Sequence, residues 1–169
     1  MGSGITEVGA RAGLSVVTVE VDDDAAKRAA ERVEGSLRKA EQRGKLTAED
    51  VTDTLERMTF TSDLEALADR DLVVEAASED EQTKLQLFRT LGSLLESDDA
   101  VLASNTSSIP IVKLGAVSGR ADRVMGVHFF NPAPVMKLVE LIPSLTTSPE
   151  TLQRMQSFVG DTLVIPAGS

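Results

Sequence analysis

The chain has a single histidine, His128, within the apolar segment VMGVHFFNPAPVMKLVELI, which also contains Glu140. An imidazole can accept and return a proton near neutral pH, and a carboxylate on its far nitrogen orients the ring and stabilises its charged form. Together the two residues are suited to acid–base chemistry. Singly, a strand histidine is ordinarily a hydrogen-bonded core residue, and a glutamate in that position ordinarily faces solvent.

The Asn-Pro-Ala-Pro break between these two residues separates two apolar strands and allows the second strand to fold back on the first. In the second strand, the period of two places Leu138, Glu140 and Ile142 on one face. We therefore expect Glu140 to be partly buried and to need a polar partner. His128 is the available partner.

A second candidate site lies at the start of the chain, where the glycine-rich helix GSGITEVGARAGL precedes the strand SVVTVEV. Gly2 and Glu20 are separated by about the interval expected, in a dinucleotide-binding βαβ unit, between the phosphate turn and the acid that binds the adenosine ribose. A glutamate favours NAD over NADP. The strand and the two earlier glycines of that motif do not precede Met1, so we interpret Gly2 as its third glycine. The alternative is that MGSG is a flexible start or a remnant of cloning.

The hydrophobic period alternates between about two and about 3.6, which predicts an α/β fold with a doubly wound, mainly parallel sheet in one domain. The predicted strands are 15–21, 58–61, 71–76, 100–104, 124–130 and 136–142. The first predicted helix begins near Gly2, the second runs from Asp24 to near Gly44, and the third is capped by Thr47. Three further helices are predicted at 81–96, 109–117 and 148–159, and a helical turn at 63–68. Leu87, Leu91, Leu94 and Leu95 are expected on the buried face of helix 81–96.

Composition excludes several classes of function. The formal charge of −10 has the wrong sign for a nucleic-acid or anionic-membrane surface. Without cysteine and with one histidine, no metal site is expected. No signal peptide and no membrane-spanning run is recognisable, so we interpret the protein as cytoplasmic.

Four motifs in order, MGSGI, LVVEAASED followed by Lys84, LASNTSSIPI and HFFNPAPVMKLVELI, resemble the N-terminal, Rossmann-like domain of L-3-hydroxyacyl-CoA dehydrogenases. The similarity runs from Met1 to about Pro166 and is greatest to bacterial 3-hydroxybutyryl-CoA dehydrogenases. The resemblance implies reversible, NAD-linked oxidation of an acyl-CoA substrate. It also implies that the first strand and the helical C-terminal domain, which carries the family's dimer interface and much of its acyl pocket, are missing here.

The same resemblance implies roles for individual residues. His128 corresponds to the catalytic base and Glu140 to its carboxylate partner, while Ser107 and Asn131 correspond to polar groups near the substrate and nicotinamide. Gly2, Glu20, Glu79 and Lys84 correspond to cofactor-contacting positions. Without the family, Ser107 would be a helix cap, Asn131 a turn residue, and Glu79 with Lys84 a solvated pair.

Two readings from different classes remain open. The first is a 3-hydroxyacyl-CoA dehydrogenase acting on short acyl chains, of which this chain is an enzymatic part. The second is a non-catalytic, Rossmann-like binding or structural module. Relatives resembling L-gulonate dehydrogenase or lens crystallin share the motifs, so a dehydrogenase with another substrate is a further alternative.

Overall fold

A computed structural model describes residues 1–136 and 138–162, which form two compact units. The described residues of the first unit are 1–66, 131–136 and 162. Those of the second unit are 67–130 and 138–161. Strands and helices alternate, as the sequence predicts for an α/β fold.

The first unit is built on a short parallel sheet. Its elements are α1 (Gly2–Arg11), β1 (Val16–Val19), α2 (Asp23–Gln42), α3 (Ala48–Glu56) and β2 (Met58–Thr61). Strands β1 and β2 pair in parallel along their whole length. Val33, Leu37 and Val51 are fully buried between the helices and form the centre of the core.

Local capping signals set the boundaries of α2 and α3. The Asp22 carboxylate accepts the Ala25 N–H at 2.6 Å and starts α2, and Gly44 follows its end with a φ of +70° that favours glycine. Thr47 and Asp50 form a reciprocal capping box at the start of α3. Both predicted helix starts are therefore confirmed to within one residue.

The second unit contains a four-stranded sheet in the order β3-β4-β5-β6. Its elements are β3 (Leu72–Glu75), α4 (Glu81–Leu94), β4 (Val101–Ser104), α5 (Ile111–Ser118), β5 (Val124–Phe129), β6 (Val139–Pro143) and α6 (Pro149–Ser157). Short turns of 3-10 helix lie at Leu64–Leu67 and Ala121–Arg123, and a π-helical turn lies at Phe158–Thr162. Strands β3, β4 and β5 are parallel, whereas β6 returns antiparallel to β5. The carboxyl ends of the three parallel strands therefore meet at one edge, where ligands bind in open α/β sheets.

The buried face of α4 differs from the predicted one. Lys84, Phe88, Leu91 and Leu95 are buried, whereas Leu87 and Leu94 are only half-buried. The prediction assigned the buried face from the positions of the leucines alone. The buried residues instead recur at intervals of four, three and four, which is the stripe that a helix presents to a sheet. A lysine thus occupies a core position at the first turn of α4.

Among residues 1–136 and 138–162, no helix is both long and apolar enough to cross a membrane. The 20-residue helix α2 has the length, but charged residues occupy most of its exposed positions.

Candidate active site

His128 and Glu140 are direct partners in the antiparallel pairing of β5 with β6. Nδ1 of His128 lies 3.0 Å from a carboxylate oxygen of Glu140. In the tautomer that carries its proton on Nδ1, the ring donates to this carboxylate and leaves Nε2 free to accept a proton. The imidazole is 22% exposed, so a ligand can reach it.

Two further contacts fix the end of β5 around this histidine. The ring of Phe130 meets the imidazole edge to face, with 4.9 Å between ring centroids. The side-chain oxygen of Asn105, immediately after β4, accepts the Phe129 N–H at 2.8 Å. The imidazole is therefore held by an aromatic neighbour as well as by its carboxylate partner.

The expected burial of Glu140 is wrong. Its side chain is 51% exposed, and the neighbours on the same face, Leu138 and Ile142, are 53% and 38% exposed. Strand β6 is the edge strand of its sheet, and this face is open within the unit. The carboxylate interacts with His128 while partly solvated, which weakens the electrostatic coupling between them.

Lys84 and Glu79 do not form the solvated pair that short-range spacing favours. The side chain of Lys84 is only 1% exposed, and its Nζ donates to Glu75 at 2.7 Å and to the carbonyl oxygen of Ala77 at 3.2 Å. The Glu75 side chain is likewise 1% exposed, so the two form a buried ion pair. Glu79 lies 3.5 Å from the same ammonium group and is 41% exposed.

The carboxylate of Glu79 holds the turn that follows β4. It accepts hydrogen bonds from the hydroxyls of Thr106 and Ser108 and from the backbone N–H groups of Ser107 and Ser108, the last two at 3.2 and 3.3 Å. Partial burial alone would raise the pKa of Glu79, but these hydrogen bonds and the ammonium of Lys84 outweigh it and lower the pKa to about 2. Ser107 is thus an exposed turn residue that α5 does not use as its cap.

Sequence reasoning missed Glu75 and Ser104. Glu75 accepts the Ser104 hydroxyl at 2.7 Å in addition to Lys84. A signal for Glu75 was present, because the period of two places Glu75 on the same face as Val73 in an otherwise apolar strand, and the structure buries that face. A carboxylate on a buried face at the carboxyl end of a parallel strand requires a cation or several donors.

The remaining predicted residues belong to the first unit. Gly2 is the first residue of α1, which has no acidic residue in its first turn, and a Cβ at Gly2 would meet nothing within 4 Å. Glu20 directly follows β1 and is half-buried. Asn131 is an exposed turn residue with a cis peptide bond to Pro132, and it lines a groove with Ser3.

The second unit therefore brings His128 together with Glu140, and Glu79 together with Lys84 and the Ser107 turn. The first unit contains Gly2, Glu20 and Asn131. No group of three or more histidine, cysteine, aspartate or glutamate side chains within the described ranges is arranged to hold a metal ion.

The parallel strands, the helix with an open N-terminus and the acid after β1 define a Rossmann-like, dinucleotide-binding protein. Residues 1–163 match the sequence family described as the NAD-binding domain of 3-hydroxyacyl-CoA dehydrogenase. The chain belongs to this family.

Several 3-hydroxybutyryl-CoA dehydrogenases are similar to nearly the whole of this chain. This chain is 45% identical to a 3-hydroxybutyryl-CoA dehydrogenase of Mycobacterium tuberculosis over 163 residues, which are 96% of this chain and 57% of that protein. The crystal structure of M. tuberculosis FadB2 superposes with a TM-score of 0.95 at 45% identity, covering 96% of this chain and 57% of that one. The crystal structure of (S)-3-hydroxybutyryl-CoA dehydrogenase PaaH1 from Ralstonia eutropha superposes with a TM-score of 0.92 at 39% identity. The match covers 96% of this chain and 57% of that one. The chain thus spans little more than half the length of these relatives.

Proposed function

We propose that the protein takes part in the reversible, NAD-linked oxidation of a (3S)-3-hydroxyacyl-CoA to the 3-ketoacyl-CoA, with a short acyl chain such as 3-hydroxybutyryl. The observation that carries the proposal is the 3.0 Å contact between His128 Nδ1 and the Glu140 carboxylate near the carboxyl end of β5. Family membership and the names of the relatives support it.

In the proposed reaction, His128 is the base. Its free Nε2 accepts the proton of the substrate's 3-hydroxyl group while the hydride leaves C3 of the substrate. Glu140 keeps the ring in the required tautomer and stabilises the imidazolium that forms. In the reverse direction, the same nitrogen returns the proton to the carbonyl oxygen. Ser107 and Asn131 bind the reacting oxygen and the nicotinamide region in this proposal.

The residues of the first unit fit NAD. When bound, NAD supplies the hydride acceptor, the C4 position of the nicotinamide. The start of α1 offers N–H groups without a competing acidic side chain, which suits a pyrophosphate. Glu20 offers acceptors to the adenosine ribose hydroxyls. Within the second unit, Glu79 is the proposed cofactor contact, and the buried Lys84 acts through Glu79.

The proposal assigns cofactor binding and proton transfer to this chain. The acyl-CoA pocket and the dimer contacts are assigned to a helical domain such as the resemblance implies. The test therefore uses the full-length gene product. Oxidation of NADH by acetoacetyl-CoA is followed at 340 nm for the wild type and for His128→Ala, and NADH binding is titrated in both.

We expect turnover in the wild type and a loss of about 10²- to 10⁴-fold in kcat for His128→Ala, with little change in the dissociation constant for NADH. Near-normal turnover of the variant would refute the assignment of the base. Failure of the wild type to bind NADH would favour the non-catalytic module instead. NADH binding with turnover of L-gulonate-type substrates alone would favour a related dehydrogenase.

A further inference from the structure

We infer that Glu75 is a positioning residue, which holds the segment 77–79 and the turn 104–108 in the arrangement that presents Glu79 and Ser107 to the ligands. The inference rests on the proposed function, because Glu79 and Ser107 are ligand contacts only within that proposal. The side chain of Glu75 is only 1% exposed, so we assign it a role through the residues that it holds and not through direct contact with a ligand.

Three donors from separate parts of the second unit converge on the Glu75 carboxylate. One oxygen accepts the Ala77 N–H at 2.6 Å and the Lys84 ammonium at 2.7 Å. The other oxygen accepts the Ser104 hydroxyl at 2.7 Å. The carboxylate therefore ties the end of β3, the first turn of α4 and the end of β4 together.

Two routes lead from this carboxylate to the turn that carries Ser107. Along the first route, Glu75 accepts the Ser104 hydroxyl at the end of β4, and the Ser104 oxygen in turn accepts the Thr106 N–H at 3.3 Å. Ser104 therefore links Glu75 to the turn. Along the second, the ammonium of Lys84 lies 3.5 Å from Glu79. Glu79 in turn accepts the backbone N–H of Ser107. Both routes begin at Glu75.

The chemistry of the side chain decides that a carboxylate is required. Replacing a buried ion pair by an apolar pair of similar volume is often neutral or stabilising, so we assign this pair a role in geometry and not in net stability. Glutamine has one acceptor oxygen where glutamate has two. In Glu75→Gln, the amide oxygen can accept from Ala77 and Lys84 only if the N–H₂ group faces Ser104, whose hydroxyl must then accept where it now donates. The buried ammonium of Lys84 also loses its anionic partner, so both routes are weakened.

The experiment compares wild type, Glu75→Gln and a matched control, all as the full-length gene product labelled with ¹⁵N-serine. NMR hydrogen exchange is measured at the Ser107 and Ser108 amides, and NADH is titrated for both dissociation constant and stoichiometry. A merely structural loss lowers the folded fraction and hence the stoichiometry, whereas a misplaced turn changes the dissociation constant of the folded molecules.

The control is Arg120→Gln. The guanidinium of Arg120 donates to the carbonyl oxygens of Gly92, Leu95 and Ser97 at the far end of α4. Its loss destabilises the same helix without touching the Glu75 cluster. It is expected to lower the melting temperature and to leave both readouts within twofold of wild type.

For Glu75→Gln we expect about tenfold faster exchange at the two serine amides and about tenfold weaker NADH binding at unchanged stoichiometry. Unchanged exchange and binding would overturn the inference, and so would equal effects in Arg120→Gln. If Glu75→Gln does not fold, Ser104→Ala, which removes only one of the three donors, decides instead. It must shift both readouts in the same direction, by about threefold.

Failure of the proposed function gives a different pattern. In that case the wild type shows no saturable NADH binding at all, whatever the variants do. The exchange rates alone then decide the inference, because they report the position of the turn without any ligand. Faster exchange in Glu75→Gln but not in Arg120→Gln supports the positioning role, and equal rates in all three proteins refute it.

Discussion

His128 and Glu140 face each other across the β5–β6 pairing, with Nδ1 and the carboxylate 3.0 Å apart. The two residues are twelve positions apart along the chain, and the reversal between the two strands brings them together. Because the antiparallel register sets this contact, a one-residue slip of β6 would turn Glu140 to the other face of the sheet. The acid–base pair therefore depends on the register of one edge strand.

Replacing Glu140 by glutamine tests the contribution of its charge. The amide oxygen can still accept from Nδ1, but it carries no charge to stabilise the imidazolium, so we expect kcat to fall about 10- to 100-fold. The expected loss is moderate because the carboxylate is half-exposed. Steady-state kinetics over a range of pH provide the measurement, with NADH binding unchanged. Glu150→Gln, at an exposed carboxylate on α6, is the control, and normal kcat in Glu140→Gln would contradict the proposed role.

Removing Lys84 should cost more stability than removing the whole pair that it forms with Glu75. In Lys84→Met the Glu75 carboxylate stays buried without its counter-ion, and the free energy of unfolding should fall by about 3–5 kcal/mol. The double variant, Glu75→Gln with Lys84→Met, should recover part of this loss. Urea unfolding of the four proteins in the cycle measures the coupling. Strictly additive effects would show that the two side chains do not interact.

The hydrogen-bonded carboxylate of Glu79 should make stability depend on pH in acid. Its pKa is lowered from 4.5 to about 2 in the folded state, so between these values the unfolded chain binds more protons. Stability from this group is thus fully present above about pH 4.5 and is lost as the pH falls towards 2. Because the side chain is 41% exposed, solvent screening reduces the size of the effect.

Urea unfolding at several pH values between these limits tests the dependence. Glu79→Gln should flatten the decline of stability with falling pH. Glu96→Gln, at an exposed carboxylate of the same unit, should keep the wild-type slope. If the free energy of unfolding falls equally with pH in wild type and Glu79→Gln, the pH dependence does not arise from Glu79.

Two helical glycines should respond in opposite ways to alanine. A Cβ at Gly92 in α4 would lie 1.8 Å from the carbonyl oxygen of Ser118, so Gly92→Ala forces α4 and α5 apart. It should destabilise the protein by about 2 kcal/mol or more. Gly35 in α2 has nothing within 4 Å of its Cβ position, and Gly35→Ala should stabilise by about 0.5–1 kcal/mol. Thermal unfolding measures both, and a tolerated Gly92→Ala would disprove the close approach.

Local sequence signals predicted the elements well because each signal acts within a few residues. The Asp22 carboxylate accepts the Ala25 N–H at the start of α2, and Thr47 and Asp50 together form the capping box of α3. Ser148 likewise accepts the Thr151 N–H at the start of α6. The six predicted strands are confirmed with ends shifted by at most three residues, because short β-branched and apolar runs favour a strand locally.

Local spacing indicates the face of a strand on which a polar residue lies, but it does not show whether that face is buried or which partner the residue meets. Glu75 meets Ser104, which is 29 residues away, and Lys84 is buried because β3 and β4 place this carboxylate under the first turn of α4. Glu140 is exposed because β6 lies at the edge of the sheet, which its own alternation does not reveal. The sequence by itself determined the elements, the family motifs and the candidate residues, which depend on short-range spacing. Only the tertiary structure decided which side chains are desolvated and paired, because desolvation depends on contacts between segments distant in sequence.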